Sequence, residues 1–162
     1  MYTAIGYPVH LIAAEKGNGI DEIKQLLHNK VSLLSGHSGV GKSSCINELF
    51  PEMNLRTKEV SNWSGKGMHT TTFAEMYDLS FDAKIIDTPG IDDFIGEVIS
   101  SIRVCDTAVL LLNAQHSIEI GTEVIWDYVD KYQKPTILAI NQVDHEMANF
   151  QQTLDDAMAF FG

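Results

Sequence analysis

The chain has 162 residues, of which 44% are apolar, and a formal net charge of −11. This length suits one domain, and the apolar fraction is too high for an intrinsically disordered chain. The negative charge argues against a protein that grips nucleic acid through a basic surface of its own, so we expect no autonomous nucleic-acid binding.

Strand-like apolar runs alternate with amphipathic helical stretches. In chain order, the predicted elements are the strand Val9–Ala14, the helix Gly19–His28, the strand Val31–Ser35, the helix Lys42–Phe50, the strands Phe73–Phe81 and Ala83–Asp87, the helix Phe94–Arg103, the strand Ala108–Leu112, the helix Ile118–Tyr132, the strand Pro135–Ile140 and the helix His145–Phe160. Residues 52–72 lack periodicity and are predicted to form a long loop. This alternation indicates an α/β fold, in which helices cover both faces of a mostly parallel sheet of about six strands.

The spacing of apolar residues predicts which helix faces are buried. In the first helix the predicted buried face holds Ile20, Ile23, Leu26 and Leu27. In the helix Ile118–Tyr132 the predicted inner face holds Ile120, Val124, Tyr128 and Val129. No apolar run is long enough for a membrane span and no signal peptide is recognisable, so we expect a cytoplasmic protein with Cys45 and Cys105 as buried thiols.

A phosphate-binding loop is predicted at GHSGVGKS, residues 36–43, which fits the pattern GxxxxGK[ST] between a strand and a helix. Its glycines let the backbone curl, so that N–H groups and the start of the helix face the phosphates of a nucleotide. Lys42 adds a positive charge for the β- and γ-phosphates, and the Ser43 hydroxyl is a ligand for Mg²⁺. The predicted nucleotide-binding residues here are Gly36, His37, Ser38, Gly39, Val40, Gly41, Lys42, Ser43 and Ser44.

Two further elements are predicted to sense the metal and the γ-phosphate. DTPG follows an apolar strand, so that Asp87 can hold Mg²⁺ through a water and the Gly90 N–H can reach the γ-phosphate. In GKGMHTTT, Thr71 rather than Thr70 is the predicted switch threonine, although three threonines can also simply begin a strand. The predicted catalytic residues are therefore Lys42, Thr71 and Gly90, and the predicted metal ligands are Ser43, Thr71 and Asp87.

Guanine recognition is predicted at the two ends of the chain. In NQVD, the Asp144 side chain can accept hydrogen bonds from both N1–H and N2–H₂ of guanine, a pair that adenine does not offer. Asn141 is expected to tie this loop to the phosphate loop, and Gln142 occupies the position after it. At the other end, Ala13–Ala14 follows the first strand, and the Ala14 N–H can bond guanine O6.

Two known GTPase families carry these motifs. Residues 1–92 resemble the circularly permuted GTPases of small-ribosomal-subunit biogenesis (RsgA), in GYPVHLIAAEKGNGIDEIKQLL, GHSGVGKSSCINELFP, GKGMHTTT and IIDTPGIDDF. Residues from about 95 onward are similar to the G domain of elongation factor G, in GEVISSIRVCDTAVLLLNAQ and IEIGTEVIWDYVDKYQKPTILAINQVDHEMANF. The resemblance implies a P-loop NTPase fold of the translational GTPase type with a circularly permuted motif order. A designed chimera is the first explanation for the two halves, and a natural recombinant is the second.

Three positions depart from the family patterns. Ala13 replaces a serine of the SAK-like loop, Gln142 replaces the lysine of NKxD, and Ile91 stands where elongation factors carry a histidine after DxxG. The last departure leaves no evident residue to orient the attacking water. The resemblance therefore implies slow hydrolysis.

The function expected from the sequence is that of one permuted G domain over residues 1–162, with a biogenesis-GTPase-like segment at 1–92 and an elongation-factor-like segment at 95–162. It binds GTP or GDP with Mg²⁺ and hydrolyses GTP slowly. The alternatives are a nucleotide-binding scaffold with negligible turnover and a ribosome-associating module. The last is disfavoured because the parent families hold the ribosome through additional domains. Because the usual connection between the ends is missing, we expect the termini to lie near each other.

Overall fold

The computed structural model describes residues 7–53, 73–89 and 95–162. Within these residues six strands form one sheet: β1 (Val9–Leu11), β2 (Val31–Gly36), β3 (Glu75–Leu79), β4 (Ala83–Asp87), β5 (Thr107–Asn113) and β6 (Thr136–Asn141). Five α-helices accompany them: α1 (Ile20–Leu27), α2 (Lys42–Leu49), α3 (Ile95–Val104), α4 (Ile120–Lys131) and α5 (Phe150–Phe161). Single 3₁₀ turns cover Ala14–Lys16 and Pro51–Met53.

The strand order is β1-β6-β5-β2-β4-β3, and every pair is parallel except β3 with β4. The strand that leads into the phosphate-binding loop, β2, lies inside the sheet between β5 and β4. The predicted six-stranded, mostly parallel α/β sheet is therefore confirmed. Nearly all of the predicted long loop lies outside the described residues.

Two apolar cores lie on opposite faces of the sheet, because successive side chains of a strand point to opposite sides. In β5, Leu110 and Leu112 belong to one core and Val109 and Leu111 to the other. The first core is closed by Ile102 of α3, Ile125 of α4 and Leu154 of α5. The second is closed by Ile23 of α1 and Ile46 of α2. Helices on both faces are thus also confirmed.

The predicted inner face of α4 is wrong at Ile120 and Val124, whereas Val129 is buried as predicted and Tyr128 is partly buried against the core. Ile120 is 80% exposed and Val124 is also exposed, whereas the helix buries Gly121, Thr122, Ile125 and Val129. Both sets recur at helical spacing, so periodicity alone does not choose between them. The structure turns toward the sheet the stripe that contains Gly121, Thr122, Ile125 and Val129.

The last helix starts later than predicted. Residues 143–147 form turns and a bend after β6, closed by hydrogen bonds from the His145 N–H to Gln142 O at 3.1 Å and from the Ala148 N–H to His145 O at 2.9 Å. α5 then begins after Asn149, whose side chain accepts a hydrogen bond from the Gln152 N–H at 3.1 Å. Asparagine is a favoured N-cap because its side-chain oxygen satisfies an otherwise unpaired helical N–H. β1 is likewise shorter than predicted and ends at Leu11.

The two ends of the described chain meet at one aromatic side chain. The Trp126 ring packs edge-on against Tyr7, with centroids 5.1 Å apart, and against Phe161, with centroids 4.6 Å apart. This agrees with the expected proximity of the termini, although Met1 itself lies outside the described residues. Across the three described ranges, no helix has the length and apolar character needed to cross a membrane.

The predicted state of the two cysteines is confirmed. Cys45 and Cys105 are buried free thiols. Burial raises the pKa of both thiols, that of Cys45 to about 12.

Candidate functional site

The phosphate-binding loop connects β2 to α2 in the strand–loop–helix arrangement that its sequence predicts. Gly39 and Gly41 have φ angles of 83° and 96°, in the left-handed region that favours glycine. A side chain at Gly41 would also overlap the Asn141 side chain, whereas the space beside Gly39 is open. Both glycines are therefore required by the backbone, and Gly41 also by its neighbour.

The Lys42 ammonium lies inside this loop. It donates hydrogen bonds to Gly36 O at 2.8 Å and to His37 O at 2.9 Å, and the residue is only 9% exposed. Ser43 and Ser44 follow in the first turn of α2 and are half-buried. A cation is thus held beside backbone N–H groups at a helix N-terminus, which together form an anion site.

A second polar group lies beside the phosphate loop, at the carboxyl end of β4. Asp87 is almost fully buried and pairs in register with Leu34 of β2, two residues before Gly36. The next residue, Thr88, donates its hydroxyl to Leu34 O at 3.1 Å. Thr71 and Gly90, which the sequence also places here, lie outside the described residues, as does Ile91.

Asn141 joins three parts of the site. It is 2% exposed, and its Nδ2 donates to Val40 O at 2.8 Å, which is the link to the phosphate loop that the sequence predicts. Its Oδ1 accepts the Ala14 N–H at 3.1 Å. The Ala14 N–H, which the sequence predicts to face guanine O6, is already bonded to Asn141 Oδ1. This bond satisfies the buried amide oxygen of Asn141, for which Ala13 offers no hydroxyl as a partner.

Gln142 makes a second link to the phosphate loop. Its Nε2 donates to Gly39 O at 3.0 Å, and its Oε1 accepts from Gln115 Nε2 at 2.9 Å. Its φ of 62° is left-handed. The replacement of lysine by glutamine at this position thus preserves a contact with the phosphate loop and adds one with the turn after β5.

Asp144 is paired with a lysine from the opposite end of the chain. Its Oδ2 lies 3.0 Å from Lys16 Nζ, in the turn that follows β1. The hydrogen bond from Lys16 is the main reason why the pKa of Asp144 is lowered. The carboxylate is therefore ionised at neutral pH and available as a hydrogen-bond acceptor.

Several of these groups line one cavity of about 710 Å³. It is lined by the predicted residues Ala14, Ser38, Gly39, Gly41, Ser44, Asn141, Gln142 and Asp144. The predicted residues Ala13, Gly36, His37, Val40, Lys42 and Ser43 are not on its lining. Its lining also includes residues that the sequence did not single out: Glu15, Asn113, Gln115, His116, Glu119, His145 and Glu146. The missed residues follow strand ends, and the only sequence signal for them is that carboxyl ends of parallel strands meet at one edge of the sheet.

Comparison with known proteins decides the family. The model of the RsgA GTPase family matches residues 1–95. The chain belongs to the RsgA GTPase family. Curated RsgA relatives include the small ribosomal subunit biogenesis GTPase RsgA of Flavobacterium johnsoniae, 54% identical over 94 residues, and RsgA 2 of Bacteroides thetaiotaomicron, 52% identical over 94 residues. These matches cover 58% of the present chain and 29% and 30% of the two RsgA relatives.

Solved structures show the fold beyond the part that matches RsgA. The crystal structure of a Thermus thermophilus protein superposes with a TM-score of 0.63 and 19% identity, over 82% of this chain and 22% of that one. The translation elongation factor SelB of Methanococcus maripaludis, solved with a GTP analogue, superposes with a TM-score of 0.57 and 19% identity, over 82% of this chain and 26% of that one. The P-loop GTPase fold is thus as predicted, and it is shared with these structures over 82% of the chain, more than the 58% that the RsgA relatives cover.

Proposed function

We propose that this chain binds guanine nucleotides with Mg²⁺ and hydrolyses GTP slowly to GDP and phosphate. The observation that carries the proposal is the joining of a phosphate loop to a base-reading loop across one cavity, through Asn141 to Val40 O and Gln142 to Gly39 O. A bound nucleotide spans the site from its phosphates to its base. The phosphate loop and the base-reading loop must therefore be held at the distance from each other that the nucleotide requires. Membership in the RsgA GTPase family supports the same activity.

At the phosphate end, Lys42 is the cation for the β- and γ-phosphates, and Ser43 and Asp87 are the protein groups that hold Mg²⁺. They fit this role because Asp87 is buried at the strand end beside the loop, while Ser43 lies in the first turn of α2. Mg²⁺ usually keeps several waters and takes only one or two protein ligands together with the substrate phosphates. The bound ion neutralises charge on the phosphate oxygens.

At the base end, the ionised Asp144 accepts two hydrogen bonds from guanine, and a base without those donors leaves the carboxylate unpaired. Fluorescent-nucleotide titration with GDP, GTP and ADP tests this, and we expect GDP and GTP to bind and ADP to bind far more weakly. Asp144→Asn should weaken GDP binding and favour xanthosine diphosphate. Asp127→Asn, at an exposed position of α4, is the matched control and should leave base preference unchanged. Unchanged GDP affinity in Asp144→Asn would contradict the assignment.

Slow turnover is proposed from the residue after DTPG. Ile91 has no group that can orient the attacking water, whereas efficient GTPases place a polar side chain or a partner's residue there. We expect about 10⁻⁴–10⁻² s⁻¹ for the isolated chain. Single-turnover hydrolysis measures this rate. A value near 1 s⁻¹ would show that another residue positions the water, and no detectable turnover would favour a binding scaffold.

We also propose that residues 1–162 form one G domain whose motifs occur in permuted order. Residues 1–92 supply the biogenesis-GTPase-like part and 95–162 the elongation-factor-like part. The RsgA family match ends at residue 95, and β1, which precedes the Ala13–Ala14 loop, pairs with β6, which precedes Gln142. Each part therefore supplies half of the base end.

The alternative function is that of a ribosome-associating module. Co-sedimentation with ribosomes tests it, and we expect no co-sedimentation of this chain.

A further inference from the structure

We propose that Gln115 is a positioning residue that acts through Gln142. The two glutamines together hold the base-reading loop against Gly39 of the phosphate loop, at the position where the NKxD pattern has a single lysine. This inference rests on the proposed nucleotide site. Neither the sequence motifs nor the family match points to Gln115, which lies in the turn between β5 and α4. The geometry places it on the cavity wall beside Gln142.

The first observation is that both ends of the Gln142 amide are occupied. Nε2 donates to Gly39 O of the phosphate loop at 3.0 Å, and Oε1 accepts from Gln115 Nε2 at 2.9 Å. A primary amide has a donor end and an acceptor end that are nearly equal in size. Gly39 O fixes which end of the Gln142 amide faces the phosphate loop, because a reversed amide would set two acceptors against each other there, and Gln115 Nε2 pairs the acceptor end that remains.

The second observation is that Gln115 is itself held firmly. Its N–H bonds Asn113 Oδ1 at 2.8 Å, and Asn113 is buried at the end of β5. The preceding residue, Ala114, donates its N–H to Asn141 O at 3.0 Å and accepts from the Asn149 N–H at 2.8 Å. The turn that carries Gln115 is therefore bonded to Asn141 and Asn149, which lie before and after Asp144 in the chain. These bonds hold the backbone at Gln115 in place.

A lysine at position 142 would not fit this environment as it stands. Its ammonium can donate to Gly39 O, but it has no acceptor, so the Gln115 amide would have to turn over and offer Oε1 in place of Nε2. Gln115→Glu supplies a charged acceptor for that lysine without this reorientation. Glutamate therefore suits a lysine at position 142, and glutamine suits the glutamine that is present.

The test is a double-mutant cycle on GDP affinity in the full chain. The variants are Q115E, Q142K and the double variant Q115E/Q142K, with Q115A and Q142A as simple truncations. We expect Q115E, Q115A and Q142A each to weaken GDP binding by roughly threefold to tenfold, the range for one hydrogen bond, because each leaves a group of the amide pair without its partner. The double variant Q115E/Q142K should recover most of the parent affinity, and Q115A should have no further effect when Q142A is present.

Two controls separate positioning from general destabilisation. Pyrophosphate, which fills only the phosphate end, should compete equally well for parent and Q115A, and the thermal midpoint should be unchanged. Gln151→Ala, at an exposed position of α5, should match the parent in every assay. Parent-like GDP affinity in Q115A, a further loss when Q115A is added to Q142A, or additive losses in Q115E/Q142K would overturn the proposal. If the parent itself binds no GDP, the proposed function fails instead.

Discussion

The phosphate end and the base end of the cavity are built in different ways. The side chain of Lys42 bonds His37 O and Gly36 O, which lie five and six residues away. At the base end, Asn141 bonds Ala14 and Val40, at separations of 127 and 101 residues, and Gln142 bonds Gly39 at 103. The first arrangement is a property of one short segment, and the second exists only when distant segments come together.

This contrast predicts where substitutions act. Changes within the phosphate loop should remove ligand affinity while the sheet remains intact. At the base end, loss of the buried Asn141 should damage stability and affinity together, because this side chain both joins the segments and lines the cavity. The largest effect on GDP affinity is expected where a charge meets the phosphates, the largest effect on stability at the buried Asn141, and the smallest effect where an exposed ion pair is removed.

Lys42→Ala should weaken GDP binding by roughly tenfold to a hundredfold, because a buried phosphate loses a charge-assisted hydrogen bond. Calorimetric titration with GDP measures the loss. Lys24→Ala, on α1 in a surface pair with Asp21, is the control and should bind like the parent. Parent-like affinity in Lys42→Ala would show that the loop does not bind phosphate.

Asn141→Ala should lower the free energy of unfolding by about 2–4 kcal/mol, because it leaves the buried Val40 O and the Ala14 N–H without partners. Urea denaturation measures this loss, and GDP affinity should fall as well. Asn149→Ala removes only the N-cap of α5 and should cost about 1 kcal/mol. If Asn141→Ala were no more harmful than Asn149→Ala, the base end would not depend on this side chain.

Gly41→Ala should be more destabilising than Gly39→Ala. Both glycines have left-handed φ angles, which cost an L-residue roughly 1–2 kcal/mol. Only at Gly41 does the new side chain also overlap Asn141, so this variant should disturb the base end as well. Thermal unfolding of the two variants is the comparison. Equal midpoints would mean that the Asn141 side chain moves away from the new methyl group at position 41 without a loss of stability.

Lys16→Gln should have the smallest effect. Lys16 lowers the pKa of Asp144, so the ion pair stabilises the folded chain above about pH 4, and this contribution is lost as the pH falls through the lowered pKa. Since the lysine is exposed, the loss at neutral pH should be below about 1 kcal/mol. Carbon-detected NMR titration should show the pKa of Asp144 rising toward 3.8 in the variant. A pKa that stays lowered would assign the shift to another group.

The helix faces mark a limit of prediction from sequence. For α1 the buried residues Ile20, Ile23 and Leu27 agree with the periodicity, because the helix has a single apolar stripe. For α4 two stripes compete, and the sheet selects the one that contains Gly121 and Thr122. Which stripe is buried depends on how the helix packs against the strands, and the sequence of the helix alone does not contain that information.

The sequence by itself determined the strand–loop–helix unit around Lys42 and the six-stranded α/β sheet. Both follow from local rules, since glycine freedom, apolar runs and helix starts act over a few residues. Only the tertiary structure decided that the Ala14 N–H bonds Asn141, that Lys16 pairs with Asp144 and that Gln115 supports Gln142. These contacts arise because parallel strands bring their carboxyl ends to one edge of the sheet, where loops far apart in the chain must satisfy one another's polar groups.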